Sequence, residues 1–338
     1  TVDASGVTGT ANAFVLDASA SEADMTVTAA TVRPADADAG TANTITTGSG
    51  DDKITGGAFK DVISAGAGDD TITGGDGDND LTGGAGDDTI TGGADDDTIS
   101  DGAGDDTVVG GAGVDTITMG AGSDDIDAGA GKDVIAAGVN LSSGDDIDGG
   151  ADADTLSATL SGVGVAPTIA NVETLSIGFG ASTFLDMENV TGATSLVLDG
   201  AGGTAAQIKN LATAATVTVT DEGTLAGTGD LTSLTIDTVA DATLTVKVAA
   251  NAAAATTALT DLTTLTITDA ISLAITNVGG SADNVLAHVI TNLALDDDET
   301  TSLSITTSAF GEFNSTGAVT GTSVLESVTV SAGASGDI

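Results

Sequence analysis

The sequence is poor in several residue types, and each shortage excludes a class of protein. It has no Cys, no Trp and no Tyr, a single His and only 6 Lys+Arg among 338 residues. Without Cys there are no disulfides, thiolate zinc sites or cysteine nucleophiles. So few basic residues exclude binding to nucleic acid or to an anionic lipid surface, because both are held mainly by basic side chains.

Segments for membrane insertion and targeting are also missing from the sequence. It contains no run of 18 apolar residues, so we expect no membrane span. Its first residues lack the basic and apolar regions of a cleaved secretory signal. They also lack an initiator Met, and we expect the chain to be a piece of a longer protein.

The sequence is rich in acidic residues and contains an internal repeat. Its 51 Asp+Glu give a formal net charge of −45. From residue 48, ten consecutive units of nine residues each contain a Gly-rich stretch and one apolar residue in a fixed phase, which indicates a repeat architecture. These apolar residues are Ile54, Ile63, Ile72, Leu81, Ile90, Ile99, Val108, Ile117, Ile126 and Ile135. Ile45 extends the phase backwards, and Ile147 and Leu156 continue it after a three-residue insertion at 139–141.

Each unit predicts one short strand and one turn. A stretch such as Thr71-Ile72-Thr73 can form a strand with one inward side chain, and the Gly-rich stretch can turn the chain because Gly allows positive φ and close backbone approach. Two strands and two turns make an 18-residue coil, and coils stack about 4.8 Å apart. The sequence therefore predicts a two-faced parallel β-roll over residues 43–156.

Stacking aligns one loop residue of every unit along an edge of the roll. Two unit charges about 4.8 Å apart repel by roughly 3 to 4 kcal/mol at an effective dielectric constant of 20, so the edges need cations. Carboxylates and turn carbonyls are hard oxygen ligands that favour Ca²⁺. We predict metal ligands at Asp52, Asp70, Asp88, Asp106 and Asp124 on one edge, and at Asp61, Asn79, Asp97, Asp115 and Asp133 on the other. The slots between these loops predict about eight Ca²⁺ ions.

Units such as GAGDDTITG resemble the G-G-x-G-x-D-x-U-x nonapeptide of RTX (repeats-in-toxin) proteins. The resemblance implies that the last loop Asp and the backbone carbonyls around the glycines bind Ca²⁺ between successive coils. Phe59 and Asp95 occupy the position of the third loop Gly, and Asn79 replaces the Asp, so we expect weak or empty slots there. The loops at 144–146 and 150–154 depart from the repeat, so we expect the regular stacking of the roll to fray there.

Beyond residue 156 a Thr-rich and Leu-rich pattern begins. Alternating apolar pairs, of which Leu175/Ile177 is the first, predict half-buried strands. Their uneven spacing favours an irregular β-solenoid over residues 157–338, continuous with the roll, with a β-sandwich as the alternative. The overall prediction is an all-β protein.

Two other parts of the chain have weaker patterns. Residues 1–42 contain two possible strands, at 14–16 and 25–28, and form either a cap or the end of an upstream solenoid. Ala205 to Ala215 favours a short helix or a solenoid corner.

The sequence carries no signature of a catalytic site. The single His288 excludes H-E-x-x-H, and no Ser lies in G-x-S-x-G. The acidic run from Asp296 to Glu299 has no Trp or Tyr that could form a sugar platform, and we interpret it as a solvated loop or an extra cation site. We interpret His288, in an apolar segment, as a packed or edge residue. We therefore predict that the chain is not an enzyme.

The composition also suggests a function. Abundant Thr, Ala, Gly and Asp with scarce Lys and aromatics resemble the RTX-bearing surface-layer (S-layer) proteins of Gram-negative bacteria. We expect a structural protein that leaves by type I secretion and forms a two-dimensional lattice of identical copies on the bacterial cell surface. A surface glycan or lipopolysaccharide would be bound through another region. The alternatives are an RTX secretion and folding module of a toxin or secreted enzyme, and an RTX adhesin.

Overall fold

The computed structural model describes residues 2–3, 14–29, 42–200, 205–211, 216–221, 233–250, 264–278, 292–295, 302–307 and 327–332. All regular structure within these ranges is β-strand, as the sequence predicted. Among the described residues no helix is of the length and apolar character needed to cross a membrane.

The strands are short and closely spaced over the first half of the chain. They are β1 (Val2–Asp3), β2 (Val15–Asp17), β3 (Thr26–Thr28), β4 (Asn43–Thr46), β5 (Lys53–Gly57), β6 (Asp61–Ala67), β7 (Thr71–Asp76), β8 (Asp80–Ala85), β9 (Thr89–Ala94), β10 (Thr98–Ala103), β11 (Thr107–Ala112), β12 (Thr116–Thr118), β13 (Asp125–Ala130), β14 (Val134–Gly138), β15 (Asp146–Asp148), β16 (Thr155–Leu160) and β17 (Thr168–Ala170).

The strands of the second half vary more in length. They are β18 (Thr174–Phe179), β19 (Thr183–Asp186), β20 (Ser195–Gly200), β21 (Ala205–Leu211), β22 (Thr216–Asp221), β23 (Ser233–Ala250), β24 (Thr264–Val278), β25 (Asn292–Leu295), β26 (Ser302–Thr307) and β27 (Ser327–Ala332).

The first compact unit of the chain, Thr1–Ser157 with Pro167–Val172, is the roll. Its odd-numbered strands from β1 to β17 form one parallel sheet, and its even-numbered strands from β2 to β14 lie side by side in a second. Ile54 of β5 lies opposite Ile72 of β7, and Ile72 lies opposite Ile90 of β9. Partners are thus one 18-residue coil apart, which confirms the predicted parallel roll.

The core of the roll consists of one apolar column on each face. All thirteen residues in the predicted phase, from Ile45 to Leu156, are buried at 0 or 1% exposure. The next inward position along the strand is small in many coils, as at Gly74, Ala65 and Ala128. Because the strands continue through this position, many are six residues long rather than the three expected.

The roll also extends beyond the ten units. At the N-terminal side, β2 pairs with β4 and β3 with β5, both in parallel, so the two strands expected near 14–16 and 25–28 are present. Beyond the insertion, β15 pairs with β13 and β17 with β15. The expectation that the roll frays there is wrong. The longer loop is anchored, since the Nδ2 of Asn140 donates to the carbonyl of Met119 at 3.0 Å.

The second compact unit, Ala158–Ala166 with Glu173–Ile338, is also a parallel solenoid. Successive parallel pairs join β18, β20, β22, β23, β24, β26 and β27, while β19, β21, β23, β24 and β25 form a second series. The strands β23 and β24 belong to both series because each continues past a register shift. Since all these pairings are parallel, the β-sandwich alternative, which has antiparallel sheets, is excluded.

The apolar pairs of this unit are buried as the alternation predicted. Those with described side chains are Leu175/Ile177, Leu196/Leu198, Val217/Val219, Leu234/Ile236, Leu244/Val246 and Leu265/Ile267. The helix or corner expected from Ala205 is wrong for residues 205–211, which form β21 and bury Ala206 and Ile208. The domain bounds after residues 42 and 156 stay a prediction.

Candidate metal site

Each edge of the roll carries a column of buried loop residues, one from each coil. Column 1 contains Asp52, Asp70, Asp88, Asp106 and Asp124, and column 2 contains Asp61, Asn79, Asp97, Asp115 and Asp133. All ten are at most 2% exposed. The structure thus brings together the side chains in the two series that the nine-residue period predicted. Their role as metal ligands stays a prediction.

Backbone hydrogen bonds hold each column in register. The N–H of Asp70 donates to Oδ1 of Asp88 at 2.8 Å, and the N–H of Asp88 donates to Oδ1 of Asp106 at 2.7 Å. The same bond links every successive pair of both columns, at 2.7 to 3.1 Å. Each side chain therefore fastens its coil to the preceding one through a single oxygen.

The second carboxylate oxygen of most column residues is buried without a hydrogen-bond partner. Such an oxygen costs about 1 to 3 kcal/mol or more, and buried charges in proteins are normally paired or bound to metals. These oxygens are consequently the atoms that a cation could engage. They are Oδ2 of Asp52, Asp70, Asp88, Asp97, Asp106, Asp115 and Asp133.

Glycines keep the space beside these oxygens open. A Cβ placed on Gly83 would clash with Oδ2 of Asp88 and with the carbonyl oxygen of Asp101 in the next coil. A Cβ on Gly92 would meet Oδ2 of Asp97 in the same way. A carboxylate oxygen and a main-chain carbonyl oxygen thus lie near one small space. Both are hard ligands of the kind that Ca²⁺ takes, so the donor set fits this ion.

Burial makes the charged form of these carboxylates unfavourable. Loss of solvation is the largest cause that raises the pKa of Asp88, and the charges of Asp70 and Asp106 add to it, while a backbone hydrogen bond opposes it. The resulting pKa is about 7 for Asp88, Asp97 and Asp124 and about 6 for Asp70. Burial also raises the pKa of Asp106, Asp115 and Asp133. A bound cation would instead favour the ionised form.

The loops that depart from the repeat keep much of its geometry. Asp95 and Asp152 occupy Gly positions and adopt φ of 74° and 81°, a region that Gly favours and Asp tolerates. Asn79 keeps the stacking bond, because its Oδ1 accepts the N–H of Asp61 at 2.9 Å. Its Nδ2 cannot ligate a cation. Weak occupancy near Phe59, Asn79 and Asp95 stays a prediction.

Sequence reasoning missed several residues of the columns. The N–H of Asp124 donates to Oδ1 of Asp145, and that of Asp133 donates to Oδ1 of Asp154, so both columns continue past the insertion. Asn43 lies at the start of column 2, where its Nδ2 donates to Asp61. Asp101, which lies in β10 where β8 has Gly83, is a further fully buried Asp beside column 1. His288 and the run from Asp296 to Glu299 lie outside the described residues.

A comparison with protein families finds the RTX calcium-binding nonapeptide repeat in four copies, at residues 39–72, 55–90, 82–117 and 120–139. These copies cover the loops of both columns, and RTX nonapeptide repeats bind Ca²⁺. The parallel roll of short strands is consistent with the β-roll that such repeats form. Neither a curated protein nor a solved structure gives a significant match.

Proposed function

We propose that the protein is a secreted, structural component of a bacterial cell surface whose roll folds on binding Ca²⁺, with the ten column residues as side-chain ligands. The observation that carries the calcium part is the pair of buried Asp columns with their unpartnered oxygens. RTX repeat proteins are typically secreted by type I systems, which supports export.

The charge of the roll supports calcium-dependent folding. Residues 43–156 contain 26 Asp and 3 Lys, a net charge of −23, which about eight Ca²⁺ would reduce to about −7. Ligand that binds only the folded state stabilises it by about 2.7 kcal/mol per site at a concentration of 100 Kd. Extracellular calcium sites bind at about 10⁻⁴ to 10⁻³ M, so the chain would stay unfolded in a calcium-poor cytoplasm and fold outside.

We further propose assembly into an S-layer lattice, with other copies of the chain as partners and a surface glycan or lipopolysaccharide as an anchor. The composition supports this proposal, as does the absence of catalytic motifs from the sequence. A net charge of −45 opposes close packing of copies, so lattice contacts would also need divalent cations.

Electron microscopy of the purified chain tests the lattice. Ordered two-dimensional sheets should form on adding millimolar Ca²⁺ and should disperse in EGTA, while Mg²⁺ at the same concentration serves as the control. Dispersed monomers at high protein concentration and saturating Ca²⁺, with a folded roll, would overturn the lattice proposal. They would favour the secretion and folding module or the adhesin.

A further inference from the structure

One residue of the roll breaks the repeat in a way that the calcium columns do not explain. Asp101 lies in β10, two residues after Ile99, at the position that Gly83 occupies in β8 of the preceding coil. Its side chain is fully buried, at 0% exposure. A carboxylate in an inward position that Gly or Ala occupies in many coils needs a compensating partner, because an unpaired buried charge is costly.

Asp101 lies against two members of column 1. Carboxylate oxygens of Asp101, Asp106 and Asp124 all lie within 4.8 Å of one another. Asp106 lies in the loop that follows β10, and Asp124 lies in the corresponding loop of the next coil on the same edge. Asp106 and Asp124 are 1 and 2% exposed, so the three carboxylates share a buried slot between adjacent loops.

The hydrogen bonds of Asp101 fix one of its oxygens and leave the other without a donor. Its Oδ1 accepts the N–H groups of Gly102 and Gly120, each at 2.6 Å, and Gly120 lies in the next coil. Its Oδ2 is buried and has no hydrogen-bond partner, and the same is true of Oδ2 of Asp106. The side chain is therefore held in place by two coils, while its second oxygen is buried without a donor beside two other carboxylates.

We propose that Asp101 converts the slot between residues 101–106 and 119–124 into a three-carboxylate site for a divalent cation. This slot is one of those between successive members of column 1, and it differs from the slot of the preceding coil in having a carboxylate at the position that Gly83 occupies there. The proposal rests on the proposed calcium function of the roll. The donors are all hard oxygens without His or Cys, which favours Ca²⁺ over transition metals.

The third carboxylate should make this slot the tightest in the roll. Affinity of oxygen sites for Ca²⁺ rises with the number of charged ligands and with rigidity, and Asp101 supplies a charge that is already oriented by two N–H donors. We expect binding about tenfold or more tighter than in the other slots. The site would therefore contribute most to the calcium-dependent stability of the roll and join two coils in its middle.

Calcium titration calorimetry of the full chain tests the proposal with three variants. Asp101→Gly restores the repeat residue, and Asp101→Asn keeps the size of the side chain and an acceptor for Gly102 and Gly120 while removing the charge. Asp105→Asn removes an exposed charge from the same loop and is the matched control. Hydrogen exchange at saturating Ca²⁺ establishes that each variant folds.

The expected result is one tight site in the wild type and in Asp105→Asn that is lost in both Asp101 variants, with the weaker sites retained. If the Asp101 variants keep the tightest site with unchanged affinity, Asp101 is only a packed residue and the inference is overturned. If the wild type binds no Ca²⁺ at millimolar concentration, the proposed function itself fails. The two failures are therefore distinguishable.

Discussion

Replacement of Asp88 tests the role of a column residue most completely, because its two carboxylate oxygens have different roles. Its Oδ1 accepts the N–H of Asp70, and its Oδ2 is the buried atom available to a cation. Asp88→Ala removes both. Leaving the N–H of Asp70 buried and unpaired costs about 1 to 3 kcal/mol.

The larger effect of Asp88→Ala should come from calcium. The residue lies between the slots that it shares with Asp70 and Asp106, and each lost site forfeits about 2.7 kcal/mol at 100 Kd. The free energy of unfolding should therefore fall by about 6 to 8 kcal/mol in saturating Ca²⁺. Asp88→Asn keeps the acceptor, as Asn79 does naturally, and should lose only the calcium part, about 5 kcal/mol.

Asp87 is the matched control for this comparison. It precedes Asp88 in the loop and is exposed, and its Oδ1 accepts the N–H of Asp105 at 2.9 Å. Asp87→Ala should cost about 0.5 to 1 kcal/mol, because water can replace an exposed acceptor. Urea denaturation in Ca²⁺ and calcium titration calorimetry measure these effects. Equal losses for Asp87→Ala and Asp88→Ala would refute the assigned register.

The other predictions concern the core, the departures from the repeat and pH. Ile90→Ala should lower the free energy of unfolding of the calcium-bound chain by about 2 to 5 kcal/mol in urea denaturation, because Ile90 is fully buried. The control Val114→Ala should cost little, because Val114 is 49% exposed. Similar costs for the two variants would contradict the assigned core. Asn79→Asp should replace a neutral ligand of column 2 with a charged one and raise the bound Ca²⁺ measured by calorimetry, and an unchanged stoichiometry would show that Asn79 does not limit its slots. In EGTA, circular dichroism should detect more β-structure at pH 4 than at pH 8. The pKa of Asp88 is raised from 3.8 to about 7 in the folded roll, so protonation stabilises the fold fully below about pH 4 and the effect is lost as pH rises through 7. β-structure that increases with pH in EGTA would contradict this.

The sequence predicted the roll because its nine-residue period determines which residues stack on one another. A nine-residue phase places Ile72 and Ile90 in one apolar column, and the same phase places Asp70 and Asp88 in one column of loop residues. The same phase, which Ile147 continues past the insertion, also places Asp145 two residues before it, as Asp124 lies before Ile126, but the phase does not give the path of the longer loop. The loop path is set by contacts such as that of Asn140 with Met119.

Other features depended on contacts between distant parts of the chain. Asp101 lies in a segment rich in Gly and Asp, so nothing in the sequence distinguishes it from the exposed Asp residues around it. Only the folded coils show that it is buried beside Asp106. The Ala residues near Ala206 favour a helix locally, but pairing of Ile208 with Ile236 places them in a strand. The alternation of apolar and polar residues after residue 157 predicted strands but not whether they pair in parallel. The choice between a solenoid and a sandwich therefore depended on the parallel registers of the folded chain.

Hydrogen exchange measured by mass spectrometry on the full chain, in millimolar Ca²⁺ and in EGTA, tests the central claim most directly. Calcium-dependent folding predicts that amides of residues 43–156 are protected with Ca²⁺ and exchange rapidly without it. The change should follow Ca²⁺ concentration steeply, because several sites fill together with folding. Equal protection of these residues in EGTA would contradict the claim that the Asp columns require calcium to stack.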